Sequence, residues 1–252
     1  MFAGIDGCKK GWLSILLDRN NRWKIVFYEN IQSFWENNYD AELILIDIPI
    51  GLSEKGSQER KCDIEARKIL GPKRGSSIFQ VPCRDSLYAK TYEDANNIHS
   101  RLTGRKLSIQ TWNILPKIRE IDFFLQSERK ASTKIRESHP EICFWAFSGH
   151  PMNYSKRKLE GILERKELLK SIYPQTEDLL SYALSTYKKS GIKVDDVLDA
   201  LILALTAKMG FNRLNFIPQM LEFDSRGLPM EIVYYPYYFL SPLKCKKTKE
   251  TK

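Results

Sequence analysis

The chain has 252 residues, of which 42% are hydrophobic and 28% charged, a balance that fits one large or two small globular domains and excludes a fibrous or disordered chain. Its longest apolar run, residues 198–207, is shorter than the ~20 residues needed to cross a bilayer, which excludes a helical membrane anchor. A net charge of +9 favours an anionic partner, nucleic acid being the commonest, and the five cysteines form no C-x-x-C pair, so the reading is of reduced thiols in a cytoplasmic protein.

Residues 2–5 form a short apolar run suited to a buried strand, ended by Asp6. Gly7-Cys8-Lys9-Lys10-Gly11 reads as a tight turn in which two glycines supply positive φ, and residues 12–17 as the returning strand of a hairpin. A carboxylate ending a buried strand is costly unless a cation, a metal or backbone N–H groups satisfy it. The alternative is that Asp6 caps its own turn. Residues 22–28 alternate, with Trp23, Ile25 and Phe27 on one face, and predict a third strand; residues 31–38 predict a short helix. Residues 42–50, ELILIDIPI, are the most apolar strand and are expected at the sheet centre. Asp47 lies near the end of that run, beside Pro49 and Gly51, where ligands gather in open α/β sheets.

Three strands, a helix and a strand, with carboxylates closing the first and fourth strands, resemble the RNase H-like superfamily. The segments GIDGCKKGWL, IDIPIGL, RKCDIEARKILG, SSIFQVPCR, ESHPEICF and DDVLDAL resemble domain-of-unknown-function family 429, predicted nucleases of that fold, over residues 1–210. The resemblance implies an α/β protein with an RNase H-like mixed five-stranded sheet flanked by helices.

Further along, residues 57–70 predict a helix stopped by Gly71-Pro72. Arg60, Asp63 and Arg67 share one of its faces, either as a solvated face with internal ion pairs or as a phosphate-facing edge joined by Arg84. Residues 92–102 and 108–126 predict helices, the second kinked at Pro116 and carrying Lys117 and Glu120 as a surface ion pair. Residues 54–132 thus read as a helical insertion, placed to form a lid or substrate wall, within a single domain spanning residues 1–240. A short strand at 134–138 enters His139-Pro140-Glu141. Glu137, His139 and Glu141 suit metal binding or acid–base work, or Glu141 simply occupies a favourable first helical turn. A helix over residues 155–172 is expected to present Lys156, Arg157 and Lys158 outward, and residues 175–190 predict another.

Residues 194–209, VDDVLDALILALTAKM, predict a buried helix with Asp196 and Asp199 on one face. Those two carboxylates repel unless a cation lies between them or they face water. Their D-x-x-D-A pattern also resembles the last helix of Holliday-junction resolvases of the RuvC type. A terminal hairpin is expected over 221–235, and the basic residues 241–252 read as a disordered tail.

The resemblance implies that Asp6, Asp47, Asp196 and Asp199 converge, with Glu137, His139 or Glu141 as neighbours and Glu141 as the further catalytic candidate, to hold two Mg²⁺ or Mn²⁺ ions about 4 Å apart for phosphodiester hydrolysis. Nucleic acid, DNA or RNA, would be held by Arg60, Arg67, Arg84, Lys156 and Arg157. The competing expectations are a phosphotransferase of the actin and sugar-kinase type, whose first phosphate loop GIDGCKKG resembles, and a non-catalytic nucleic-acid-binding protein on the same fold.

Overall fold

The structure is a computed structural model that describes residues 1–54 and 59–240; the expected helix start at Ser57 and the tail at 241–252 lie outside the described residues. Its elements in order are β1 (Phe2–Cys8), β2 (Gly11–Leu17), β3 (Trp23–Tyr28), α1 (Ile31–Asn38), β4 (Leu43–Ile46), α2 (Lys61–Arg74), α3 (Tyr92–Thr103), α4 (Ile109–Ser127), α5 (Arg129–Ser132), β5 (Ile135–Glu137), α6 (Pro140–Ser148), α7 (Leu159–Ile172), α8 (Thr176–Thr186), α9 (Val194–Gly210), β6 (Asn215–Phe223), β7 (Pro229–Tyr234) and α10 (Tyr237–Leu240).

Five strands form one mixed sheet in the order β3-β2-β1-β4-β5, antiparallel across β1–β2 and β2–β3, parallel across β1–β4 and β4–β5. Helices flank it, an α/β fold consistent with an RNase H-like arrangement. The middle strand is β1, not the more apolar β4 that hydropathy placed there. The order explains the miss: a strand with an antiparallel neighbour on one side and a parallel one on the other can carry small and acidic residues wherever a helix covers it closely.

Side chains alternate across the sheet, as the period of two requires. Phe2, Leu13, Ile15, Leu17, Leu43 and Leu45 face a core built with α9, α8 and α7. Ala3, Ile5, Trp12, Leu16, Ile44 and Ile46 face a second core with α1 and α4. By the same alternation Asp6 shares the α9 face, since it lies opposite Leu13 in the hairpin.

Gly4 sets how closely α9 can lie on that face. A Cβ there would sit 2.1 Å from the Ala200 carbonyl oxygen and 2.2 Å from the Ala204 amide nitrogen. Only a glycine lets the helix backbone rest directly on β1, which draws the N-terminal turns of α9 over the end of the strand.

Several boundaries depart from expectation. β1 runs through Asp6 to Cys8, and only Lys9 and Lys10 form the turn, so Asp6 lies inside the strand rather than ending it. Neither Gly7 nor Gly11 has positive φ. Gly11 instead makes room for its neighbour, since a Cβ would lie 2.2 Å from the Tyr28 carbonyl oxygen. α4 continues helically through Pro116, where a kink was expected, and it packs on the sheet as part of the second core. Lys156, Arg157 and Lys158 precede α7 in a loop instead of lining its outer face. β6 and β7 form a separate two-stranded sheet, joined to the main one where Ser138 meets Val233.

Candidate active site

Asp6 and Asp47 end up side by side because β1 and β4 are parallel and in register. Ile5 pairs with Ile46, and the Asp47 amide donates to the Ile5 carbonyl at 3.0 Å, so the next rung sets the two aspartates at the ~4.8 Å spacing of adjacent strands. Pro49 cannot donate to a ladder, and the chain turns away just past Asp47. A buried arginine fixes that turn. Arg60 Nη1 donates to the Ile50 carbonyl at 2.9 Å, and Glu137 Oε2 accepts from the Ile50 amide at 2.6 Å.

α9 supplies the remaining carboxylates. Asp199 is 1% exposed and immediately precedes Ala200, which contacts Gly4, and Asp196 is half-buried in the first turn, where it accepts from the Lys193 amide at 2.9 Å. The Asp6, Asp196 and Cys8 ligand atoms all lie within 4.8 Å of one another. Lys156 reaches in from the loop before α7 and ion-pairs with Asp199.

The electrostatics follow from this crowding. Burial pushes the Asp6 carboxyl well above the usual carboxylate range, and the neighbouring Asp47, Asp199 and Asp196 charges push it further. Burial likewise raises Asp47, to about 7, against the pull of Lys156. Asp196 is raised by burial too. Lys156 is held in its charged form chiefly by Asp199, with help from Asp6 and Asp47. The Cys8 thiol is pushed up by burial and by Asp6, which keeps it protonated.

Asp6, Asp47 and Asp199 line one cleft of about 380 Å³. Its walls include Arg74, Phe79, Ile114 and Lys117 from the 54–132 segment, and Glu141, His139 and Arg157 opposite. The segment expected to wall the substrate does line the cleft. Burial lowers the His139 imidazole, favouring the neutral ring, and its Nδ1 accepts the Glu141 amide at 3.2 Å to cap α6. Glu141 itself is 4% exposed and ion-paired with the buried Arg165.

Three of the predicted substrate-binding arginines, Arg60, Arg67 and Arg84, are not among the residues lining this cleft. Arg60 is 3% exposed and bonds both carboxylate oxygens of Asp63 and of Glu137. Arg84 is also 3% exposed and pairs with Asp122 and Asp224. Arg67 ion-pairs with Glu59 and donates to the Ile78 carbonyl. The geometric reason is common to Arg60 and Arg84: a buried guanidinium needs counter-charges, and the chain supplies two carboxylates to each internally. Both carboxylate oxygens of Glu137 are engaged, by Arg60 and by the Ile50 amide. Of the predicted set only Lys156 and Arg157 reach the cleft.

Two cationic neighbours escaped the sequence reading. Lys117 does not form the expected surface pair: Glu120 instead accepts the Trp12 indole N–H at 3.0 Å, and the Lys117 ammonium lies 4.0 Å from the Trp12 ring centroid. The signal was Gly7, where a Cβ would come within 2.9 Å of Lys117 Cδ. Arg74 follows the break in α2 at Gly71, whose φ of 58° turns the chain back toward the cleft. Cys8 has no spacing motif that could have marked it.

No curated protein and no solved structure matches the chain. The profile of the family described as protein of unknown function (DUF429) matches residues 4–220. That span includes β4, α9 and β1 from Gly4 onward, and with them the four aspartates, and on its extent the chain belongs to this family.

Proposed function

We propose that the chain is a metal-dependent nuclease that hydrolyses phosphodiester bonds at the Asp6, Asp47, Asp196 and Asp199 cluster. The observation that carries this reading is the convergence of carboxylates from β1, the end of β4 and α9 at one cleft, with the Lys156 ammonium ion-paired among them. Crowded buried carboxylates of this kind cost free energy without a cation. Their oxygens are the donors that a hard divalent ion such as Mg²⁺ or Mn²⁺ prefers, and Asp6, Asp47, Asp199 and Asp196 would hold it. When bound, such an ion neutralises charge on a phosphate and lowers the pKa of a water.

The chain's own groups suit the rest of the task. Arg74, Lys117 and Arg157 place positive charge along the cleft walls for the phosphates on either side of the scissile bond. Phe79 and Ile114 give the same cleft an apolar stretch that can take the face of a base. Glu141, oriented by Arg165, stands where it can accept a proton from an attacking water.

The test compares wild type with Asp6→Asn, which keeps the shape and removes one charge. Mn²⁺ is expected to raise the melting temperature of wild type more than that of the variant, and cleavage of a mixed-sequence single-stranded substrate is expected only from wild type. In EDTA the variant should be the more stable of the two, because one of several crowded charges is gone. Equal stabilisation of both proteins by Mn²⁺ would remove Asp6 as a ligand and the reading with it.

A further inference from the structure

The four aspartates do not form one evenly shared cage. Lys156 divides them. Its stem crosses from the loop before α7, partly exposed, and its ammonium ends against Asp199, which is itself almost wholly buried. Asp6 and Asp47 lie near enough to that ammonium to feel its charge strongly. The Asp6 and Asp196 carboxylates and the Cys8 thiol form a compact group, their ligand atoms within 4.8 Å of one another. A positive charge is therefore already seated against Asp199, whereas Asp6 and Asp196 have no ion-pair partner among the described residues and only the more distant Lys117 ammonium, held over the Trp12 ring, on their side of the cleft.

We propose that Lys156 is a built-in substitute for a second metal ion, so that the site takes one divalent cation per chain rather than two. The inference rests on the nuclease reading above and refines it. Two divalent ions would leave the Lys156 ammonium beside two dications, with its only ion-pair partner among the described residues, Asp199, shared with a metal. One ion with the Lys156 and Lys117 ammoniums supplies four positive charges against four aspartates, neutral before an anionic substrate arrives, and a second dication would leave the cluster with an excess of positive charge. Anchoring also favours the arrangement. Asn153 and Tyr154 give their backbone amides to Glu164 on α7, at 2.9 Å and 3.1 Å, and Arg165 donates to the Tyr154 carbonyl at 3.0 Å, so the loop carrying Lys156 is fixed at its base. A lysine presented from a held loop loses less freedom on making its contact than one on a free strand of chain.

In this arrangement Lys156 is a positioning and neutralising group rather than a contact for distant phosphates. Its charge would lie on the Asp47–Asp199 side of the reacting phosphate, where a second ion would otherwise neutralise a phosphate oxygen. Arg157, its neighbour, then stays available for the substrate at the cleft wall.

The experiment is a calorimetric titration of the full chain with Mn²⁺ alone, repeated on Lys156→Met, with the ion count checked by the paramagnetic resonance signal of free Mn²⁺. Wild type is expected to bind one ion per chain. Lys156→Met is expected to bind two, the first at least tenfold more tightly than the wild-type ion, because one competing positive charge has been removed. Two ions on wild type would overturn the inference and leave the nuclease reading intact, since Lys156 would then have been displaced by metal. One ion of unchanged affinity on a folded Lys156→Met chain would overturn it as well. No Mn²⁺ binding to either protein would overturn both. The wild-type count needs no variant, so a poorly folding Lys156→Met chain does not spare the proposal, and Lys156→Arg, which keeps the charge, should return the count to one.

Discussion

Gly4→Ala is the sharpest perturbation of the geometry that assembles the site. The added methyl would meet the Ala200 oxygen at 2.1 Å, the Ala204 nitrogen at 2.2 Å and the Leu203 carbonyl carbon at 2.8 Å. All three are helix backbone, so no rotamer change can relieve the contact. Ordinary van der Waals contact requires α9 to move off β1 by more than an ångström over most of a turn. Overpacking by one carbon costs about 1–3 kcal/mol where side chains can give way, and here the upper end applies. Alanine recovers roughly 0.5–1 kcal/mol through a less flexible unfolded chain, which leaves a net loss of about 2 kcal/mol or more. At 2–4 °C per kcal/mol for a chain near this size, the melting temperature should fall by roughly 4–8 °C. The same movement carries Asp196 and Asp199 away from Asp6, so stabilisation by Mn²⁺ should shrink in parallel. Gly7→Ala is the control. Its nearest neighbour, at 2.9 Å, is Lys117 Cδ, part of a flexible side chain, so that variant should stay within about 1 kcal/mol of wild type while displacing the Lys117 ammonium from the cleft. A Gly4→Ala protein that melts with wild type would refute the account of how α9 is seated.

The metal-free protein should lose stability as the pH rises from about 4 to about 7. Asp47 has its folded pKa raised to about 7 and Asp6 is raised as well, so above about pH 4 the folded state keeps protons that the unfolded state has released, and stability falls with pH until the folded carboxyls have ionised too. For Asp47 alone, a rise from 3.8 to about 7 corresponds to at most about 4 kcal/mol, lessened by water in the cleft, and Asp47→Asn should flatten the profile measured by urea unfolding in EDTA. A slope unchanged in Asp47→Asn would count against the buried-carboxylate argument. Arg60→Met leaves Asp63 and Glu137 buried without their shared partner and should cost about 3–5 kcal/mol, read from the shift in denaturation midpoint; a neutral outcome would mean that the network is not needed to hold the Ile50 turn. Arg157→Ala should leave the fold untouched, weaken single-stranded substrate binding and lower the salt dependence of affinity by roughly one phosphate contact, and a salt slope identical to wild type would place Arg157 off the substrate path.

The parts of the molecule visible in the sequence are those governed by local period and by the cost of burying charge. Residues 23–28 alternate and form β3; residues 31–38 form α1 to the residue; the apolar run after Asp196 forms α9. The four aspartates stood out because each sits in an apolar setting, and three of them line one cleft while Asp196 groups with Asp6 beside it. The basic residues were harder, because a lysine or arginine on a helix face has the same local signature whether it meets solvent, a carboxylate or a ligand. Arg60 and Arg84 find their partners 77 and 140 positions away, at Glu137 and Asp224, distances over which a sequence pattern carries no trace. Lys117 was misassigned for the converse reason: Glu120 lies at helical spacing from it, yet the Trp12 indole and the Ile31 amide claim that carboxylate.

The C-terminal hairpin has a bearing on where the folding unit stops. The family match closes at residue 220, partway along β6, but the interior does not. Asp224, in the turn beyond it, holds Arg84 and accepts the Leu52 amide at 3.0 Å, just past the loop that follows Asp47. Glu231 on β7 takes Arg136 at 2.6 Å, and the Val233 carbonyl takes the Ser138 hydroxyl at 2.7 Å. A polypeptide trimmed at the family boundary would keep every aspartate of the cluster and still strand Arg84 and Arg136 without those counter-charges. The sequence conserved in the family profile and the sequence required for self-assembly are thus different lengths of chain, and the last strand pair works as a clasp on the loop that presents Asp47.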